Sequence, residues 1–420
     1  MKQMTNKIAV IGLGYIGLPT ASILATKGYQ VLGVDVNPKT VETINAGKIH
    51  IVEPDLDILV KSAVHSGNLR ASLTPEEADV FILAVPTPFK NGDQSGAKIP
   101  DISYVEAAAE TIAPYLKEGN LVILESTSPV GTTERVRDII AKHRPDLIET
   151  TTNVSPLSSH ISRLYIAHCP ERVLPGQILR ELVDNDRIIG GIDRSSAEKA
   201  RDLYKTFCSG QIHLTNARTA EMAKLVENSF RDVNIAFANE LSMICDRLGI
   251  NVWELIELAN RHPRVNILQP GPGVGGHCIA VDPWFIVAAA PEQAHLIRTA
   301  REVNDFKPHW VLEKVKAKAE RFNNPVIGCL GLAFKANVDD LRESPALDIT
   351  RELIVSGVGE VLACEPLVNG EFREFELFAL EEVLRRADIL VVLVDHDEFK
   401  GVDGELLKEK VVIDTRGIWR

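Results

Sequence analysis

No Cys-x-x-Cys pair occurs in the 420-residue sequence, and its six cysteines (Cys169, Cys208, Cys245, Cys278, Cys329 and Cys364) lie far apart. Zinc-ribbon and thioredoxin-like sites need closely spaced thiols, so neither fits, and buried thiols in a reducing cytosol are the expectation. Long apolar runs are also missing. The strongest, residues 284–290 and 389–394, fall far short of the roughly 18 residues that cross a bilayer. Residues 1–7 are polar and lead straight into a short apolar run, which is not the pattern of a secretory signal. The expectation is a cytoplasmic chain without membrane insertion. There is no basic block: 46 Lys+Arg against 58 Asp+Glu give a formal charge of −12. That argues against nucleic-acid and anionic-membrane partners, while leaving room for a local basic pocket around a phosphorylated ligand. Short repeats and low-complexity stretches are absent.

What remains is a globular composition, 45% hydrophobic and 25% charged. At about 100–200 residues per domain, two to four domains are expected. Residues 7–11, 31–35, 80–85 and 121–125 are apolar runs that read as strands covered on both faces. Helical patterns near 15–27, 39–45 and 103–116 separate them, which predicts a parallel doubly wound sheet. From about Thr215 to Leu248 runs one long helical pattern, with Met222, Leu225, Val226, Phe230, Val233, Phe237, Leu241 and Ile244 on its apolar side. Such a helix predicts packing between domains or against its copy in a dimer. Another helix, 252–261, ends before Pro263. A second alternating region begins near Pro325, with strands at 326–330, 361–364, 389–394 and 411–413 and a helix at 347–356. The predicted architecture is α/β: two Rossmann-like doubly wound domains (residues 1–204 and 313–420) joined by a helical central region (205–312) with one long helix.

The first strand runs into Gly12-Leu13-Gly14-Tyr15-Ile16-Gly17. A GxGxxG pattern alone is weak. Here it follows a strand, opens a helix and precedes a second strand ending at Asp35, which is the dinucleotide-binding context. Gly12 allows the tight turn. Gly14 lets backbone approach a pyrophosphate at the helix N-terminus, and Gly17 allows close helix–strand packing. Asp35 would accept from ribose hydroxyls and repel a 2′-phosphate, which favours NAD; nearby Lys39 leaves NADP open. Pro86 and Thr87 end one strand, and Ser126 and Thr127 follow another, at the strand ends where open α/β sheets bind ligands. For Thr127 a ligand contact and a capped turn are both open readings.

The least ordinary segment is Gly271-Pro272-Gly273-Val274-Gly275-Gly276-His277-Cys278-Ile279-Ala280-Val281-Asp282. Four glycines in six residues allow close approach of backbone to a ligand. A cysteine at the end of such a loop is within reach of substrate, a helix starting there would lower its pKa, and an aspartate four residues on could face the same site.

Together with Glu227-Asn228-Ser229-Phe230-Arg231-Asp232-Val233-Asn234 and Asn260-Arg261-His262-Pro263-Arg264-Val265-Asn266, these segments resemble the UDP-glucose/GDP-mannose dehydrogenase family over essentially the whole chain. The resemblance implies an NAD-dependent four-electron oxidation of a nucleotide sugar from C6 alcohol to carboxylate. Cys278 matches the family nucleophile, which would carry a thiohemiacetal and then a thioester; His277 is read as a loop residue. Lys224 and Asn228, one helical turn apart, match the family pair that stabilises the oxyanion. Asp282 would orient water or accept a proton. Glu171, in Cys169-Pro170-Glu171-Arg172-Val173, matches the family position that helps activate the hydrolytic water, and Thr127 joins the catalytic set. For substrate the resemblance implies Arg172, Val173, Lys224, Asn228, Arg231, Gly275, Phe334 and Lys335, with Arg264 reaching across a subunit boundary. For cofactor it implies Tyr15, Ile16 and Arg342 beside the residues already named. For Lys335 and Arg342, a diphosphate contact and a solvated basic loop are both open. Ala280-Val281-Asp282 and Cys169-Pro170-Glu171-Arg172 depart from the UDP-glucose pattern toward the N-acetyl sugar branch. The implied substrate is UDP-N-acetylmannosamine, with UDP-N-acetylglucosamine as the alternative, for surface polysaccharide synthesis, in a homodimer built through the long helix. Two further readings are a two-electron hydroxy-acid dehydrogenase with an inert Cys278, and an NAD-sensing binding protein.

Overall fold

In the computed structural model, residues 7–51, 53–90, 98–148, 164–174, 176–276, 278–368 and 372–419 are described. They divide into two units, Met1–Leu225 and Val226–Arg420.

The first unit is an alternating chain: β1 (Lys7–Ile11), α1 (Gly17–Thr26), β2 (Gln30–Val34), α2 (Pro38–Asn45), α3 (Leu56–His65), β3 (Leu69–Ser72), β4 (Val80–Leu83), α4 (Ser103–Ile112), β5 (Leu121–Leu124), α5 (Thr132–His143), β6 (Tyr165–His168), α6 (Ile178–Asp184), β7 (Arg187–Gly191), α7 (Arg194–Tyr204) and β8 (Ile212–Asn216). The sheet order is β3-β2-β1-β4-β5-β6-β7-β8. Every pairing is parallel except β6 with β7. The order reverses between β1 and β4, so the turns after these two strands flank the ligand crevice of an open α/β sheet. The continuous apolar runs have a direct cause. Ile8 and Val10 pack in one core cluster, while Ala9 and Ile11 pack in the other on the opposite face. Val80 and Ile82 against Phe81 and Leu83 repeat the pattern. Each large side chain so buried contributes about 1.5–3 kcal/mol.

From β8 the chain enters α8 (Ala217–Leu248), 32 residues long. Its start is fastened in the first unit. Asn216 Oδ1 accepts from the amide of Thr219 at 2.9 Å, and buried Glu221 accepts from the amides of Gly131 and Thr133 at 2.6 and 2.7 Å.

The second unit continues with α9 (Val252–Ala259), α10 (Asp282–Ala289), α11 (His295–Ala319), β9 (Val326–Leu330), α12 (Pro345–Ser356), β10 (Glu360–Cys364), α13 (Leu380–Arg386), β11 (Ile389–Val392), α14 (Asp397–Lys400) and β12 (Val411–Asp414). The strands form a parallel sheet, β10-β9-β11-β12. No helix among the described residues is long and apolar enough to cross a membrane.

Two features of the helices go beyond the sequence reading. Within the chain, much of the apolar side of α8 is open, with Phe230 68% and Phe237 57% exposed, while Lys224, Asn228, Asp232 and Asn239 are buried. And α11, 25 residues with Pro308 inside, has no counterpart in the apolar pattern. Its buried face carries Arg301, Asn304 and Lys307 where a pattern search looks for leucine.

Candidate active site

The glycines of the first turn have distinct jobs. Gly12 sits at φ +91°, and a Cβ there would lie 2.5 Å from the carbonyl oxygen of Ala84; its amide donates to Val34 at 2.8 Å. A Cβ at Gly17 would lie 1.8 Å from the carbonyl oxygen of Gly12, so helix and turn close only around glycine. At Gly14 a Cβ would meet nothing within 4 Å. The space over Gly14 is open at the entry to α1, beside Tyr15 and Ile16, where a pyrophosphate is favoured by free amides and the helix dipole. Ile16 is the N-cap, so α1 begins two residues later than expected. Asp35 fastens this turn: one carboxylate oxygen accepts from Leu13 at 3.0 Å, the other from Asn37 at 2.9 Å. Each oxygen keeps a lone pair for a ribose hydroxyl. At His50, which the sequence does not single out, partial desolvation lowers the pKa against the opposing pull of the Asp35 charge.

The loops after β4 and β5 are tied together. Thr87 donates to the carbonyl of Thr127 at 2.6 Å, and Ser126 donates to that of Val85 at 2.6 Å. Pro86 is exposed on this rim. In the same unit lies a buried ionisable cluster of which sequence reasoning singled out only Glu171. Glu125 accepts from Tyr204 at 2.9 Å and Thr20 at 3.2 Å. Burial, reinforced by the neighbouring Glu171 charge, pushes Glu125 up to about 7. Glu171 is paired with buried Arg187 at 3.1 Å and accepts from the Arg172 amide at 2.7 Å. Arg172 reaches the carbonyl of Asp186 at 3.0 Å, and Val173 packs on the first unit's core.

On α8, Lys224 is 9% exposed and Asn228, one turn on, 6%. Asn228 Nδ2 donates to Asp282 Oδ2 at 2.5 Å. Asp282 opens α10, and its amide bonds back to the carbonyl of Cys278 at 2.9 Å. The helix expected to start at Cys278 therefore starts four residues later, and the aspartate occupies its N-terminus. Of the six cysteines only Cys278 is exposed. Burial pushes Cys169, Cys329 and Cys364 up to about 12, which leaves them protonated and inert. His277 lies outside the described residues.

The second glycine loop is packed against protein. A Cβ at Gly271 would lie 2.6 Å from Arg416 Nη1, at Gly273 2.9 Å from Pro308 and Pro345, at Gly275 2.4 Å from the carbonyl oxygen of Glu343, and at Gly276 3.1 Å from the Phe334 ring. The sequence reading assigned that closeness to a ligand; at these four positions the close neighbour is the chain itself. Gly273, Phe334, Lys335, Asp395 and Arg416 line one small cavity. Arg416, held by Asp395 at 2.7 Å, was missed. It lies two residues past β12, and the end of a parallel strand is the signal that could have found it. Arg342 is exposed and forks onto Asp340 at 2.5–3.1 Å. Arg231 and Arg264 are exposed. The loop carrying Arg264 is closed by Asn260, which exchanges two hydrogen bonds with Ile267 at 2.7 and 3.0 Å.

A glycine turn at the switch point of a β3-β2-β1-β4 sheet and an acidic residue just after the second strand define a dinucleotide-binding protein, and the family matches make it an NAD-dependent nucleotide-sugar dehydrogenase. Models of the family's NAD binding domain, central domain and UDP binding domain match residues 6–208, 218–306 and 328–420 in that order. The chain belongs to the UDP-glucose/GDP-mannose dehydrogenase family. It is 60% identical to the NDP-N-acetyl-D-galactosaminuronic acid dehydrogenase of Ralstonia nicotianae, over 98% of this chain and 96% of the relative. It is 57% identical to the UDP-N-acetyl-D-mannosamine dehydrogenase of Escherichia coli K12, over 98% and 99%. A solved UDP-D-ManNAc dehydrogenase from Pyrococcus horikoshii superposes with a TM-score of 0.86 at 42% identity, covering 99% of this chain and 96% of that one.

Proposed function

We propose that the protein oxidises UDP-N-acetyl-D-mannosamine at C6 to UDP-N-acetyl-D-mannosaminuronate, with Cys278 as covalent nucleophile. One observation carries the reading: the single exposed cysteine is followed, one turn on, by Asp282, and Asp282 is bonded to Asn228 on α8. Bound NAD supplies the hydride acceptor for both oxidations, and the open backbone over Gly14 together with Asp35 fits its pyrophosphate and ribose. The residues of the chain do the rest. Loss of a hydride from C6 and of its hydroxyl proton gives the aldehyde, with Lys224 and Asn228 holding the oxygen as charge develops there. The Cys278 thiolate adds to the aldehyde carbon, giving a thiohemiacetal; loss of hydride from that carbon and of the hydroxyl proton gives a thioester. Water, activated with help from Asp282, Glu171 and Thr127, cleaves the thioester to the carboxylate and returns the thiol. Substrate is held by Arg172, Val173, Arg231, Gly275, Phe334 and Lys335, with Arg416 added from the structure. Arg342 serves the cofactor, as do Pro86, Thr87 and Ser126.

The partner in this reading is a second copy. Val226, Phe230, Phe237, Ile244 and Leu248 form an exposed apolar stripe along α8, each at least 44% exposed, and such a stripe on a long helix is best covered by its own copy. Arg264 then reaches the neighbouring site. The cytosol is where both NAD and nucleotide sugars are supplied, and the uronate product suits surface polysaccharide synthesis.

A second reading rests on the 60% identity to a galactosaminuronate enzyme: the same chemistry on the galacto epimer. A panel of UDP-N-acetylmannosamine, UDP-N-acetylglucosamine and UDP-N-acetylgalactosamine, read by NADH yield, tests all of this. Two NADH per sugar from the manno epimer is the expected result. A yield of one would exclude the thioester route, and preferred turnover of another epimer would overturn the substrate. Cys278→Ala should abolish net oxidation while NAD still binds.

A further inference from the structure

The loop that presents Cys278 is held at both ends by the same helix. At its far end Asn228 bonds to Asp282 at 2.5 Å. At its near end Asn239, about three turns further along α8, accepts the backbone amide of Gly271 at 2.9 Å. We propose that Asn239 is a positioning residue for Cys278, and that the buried chain Arg301–Asp232–Asn304 exists to fix the direction in which its amide points. The proposal rests on the reading of Cys278 as the nucleophile.

The argument is one of hydrogen-bond polarity. Arg301 Nη1 donates to Asp232 Oδ1 at 2.6 Å, and Arg301 can only donate. Asn304 Nδ2 donates to the same oxygen at 2.8 Å and to the Asp232 carbonyl at 3.1 Å. With its NH2 so committed, Asn304 turns its oxygen to Asn239, whose Nδ2 donates to it at 2.9 Å. That leaves the Asn239 oxygen facing Gly271, whose amide can only donate. Each step dictates the next, so an amide that could otherwise flip has one allowed orientation. All four side chains are at most 1% exposed. What the seam supplies is an oriented acceptor at the entrance of the glycine loop.

Two variants of the full-length chain test this. Asn239→Leu removes the acceptor at near-constant volume. Asn239→Asp keeps the acceptor for Gly271 but sets oxygen against oxygen at Asn304. Expected for each single variant are a fall in kcat of about 10–100-fold, as for a catalytic group displaced by about an ångström, an unchanged KM for NAD, and an altered rate of Cys278 alkylation by iodoacetamide, resolved by peptide mass spectrometry. Single variants with wild-type kcat and alkylation would overturn the proposal. Amide exchange on the unaltered protein covers variants that fail to fold: Gly271 should be protected, and exchange at the rate of a free loop would refute the clamp. If instead Cys278→Ala retains full turnover, the nucleophile reading fails, whereas protection at Gly271 and altered alkylation would still stand.

Discussion

The chain has two glycine-rich turns that look alike as text and differ in space. In the first, Gly12 and Gly17 are crowded by backbone while Gly14 faces open space. In the second, Gly271, Gly273, Gly275 and Gly276 all press against side chains or backbone of their own unit. The first is a turn open on the side of Gly14; the second is a strap pulled tight against Phe334, Glu343 and Pro345. A dense glycine pattern therefore says that backbone comes close to something. It does not say whether that neighbour is a ligand or the protein.

The largest effect expected from this comparison is at Gly17. A methyl there would sit 1.8 Å from the Gly12 carbonyl oxygen, which cannot move without opening the β1 turn. Gly17→Ala should cost about 3 kcal/mol or more, at or beyond the upper end of overpacking, and lower the midpoint of urea unfolding accordingly. Gly275→Ala meets the Glu343 carbonyl at 2.4 Å and Pro345 at 2.8 Å. Those neighbours lie on a loop that can give, so about 1–3 kcal/mol is expected. If the two variants unfolded at the same midpoint, the contrast between rigid and yielding surroundings would fail.

Gly14→Ala should do the opposite. The added methyl fills space that touches no protein atom within 4 Å, so the unfolding midpoint should hardly move while the NAD dissociation constant rises by about tenfold, the weight of one lost or strained charge-assisted contact. Calorimetric titration with NAD decides it. Unchanged affinity would mean that the pyrophosphate does not lie over Gly14.

How much of this was legible follows from where the physics is local. The first turn is spelled by three glycines at fixed spacing between two apolar runs, because strand, turn and helix start are neighbours in sequence as well as in space. The pairing of Asn228 with Asp282 was only half legible. Both residues were singled out, but nothing in a spacing of 54 positions shows that their side chains meet. Arg416 was invisible as one arginine among many until β12 placed it at a strand end. The buried face of α8 was not legible because the polar set Asp232 and Asn239 is sealed by an equally polar set on α11. Hydrophobic periodicity cannot see a seam made of amides and an ion pair.

The smallest effect concerns the floor beneath the first turn, where the second has no counterpart. Glu125 is fully buried between Thr20 and Tyr204, and its pKa is raised to about 7, chiefly by burial and then by Glu171. A carboxyl whose folded pKa exceeds its unfolded value binds its proton more tightly in the native state. The stability this contributes is complete below the unfolded value near 4.5 and is lost as pH rises through about 7. The loss per pH unit is bounded by about 1.4 kcal/mol for one proton. Glu125→Gln keeps the shape and cannot ionise, so its unfolding free energy between pH 5 and 7 should fall less steeply than that of the parent. Urea titrations at several pH values read the two slopes. Parallel slopes would show that Glu125 is already ionised across that range, with Arg187 rather than burial in control.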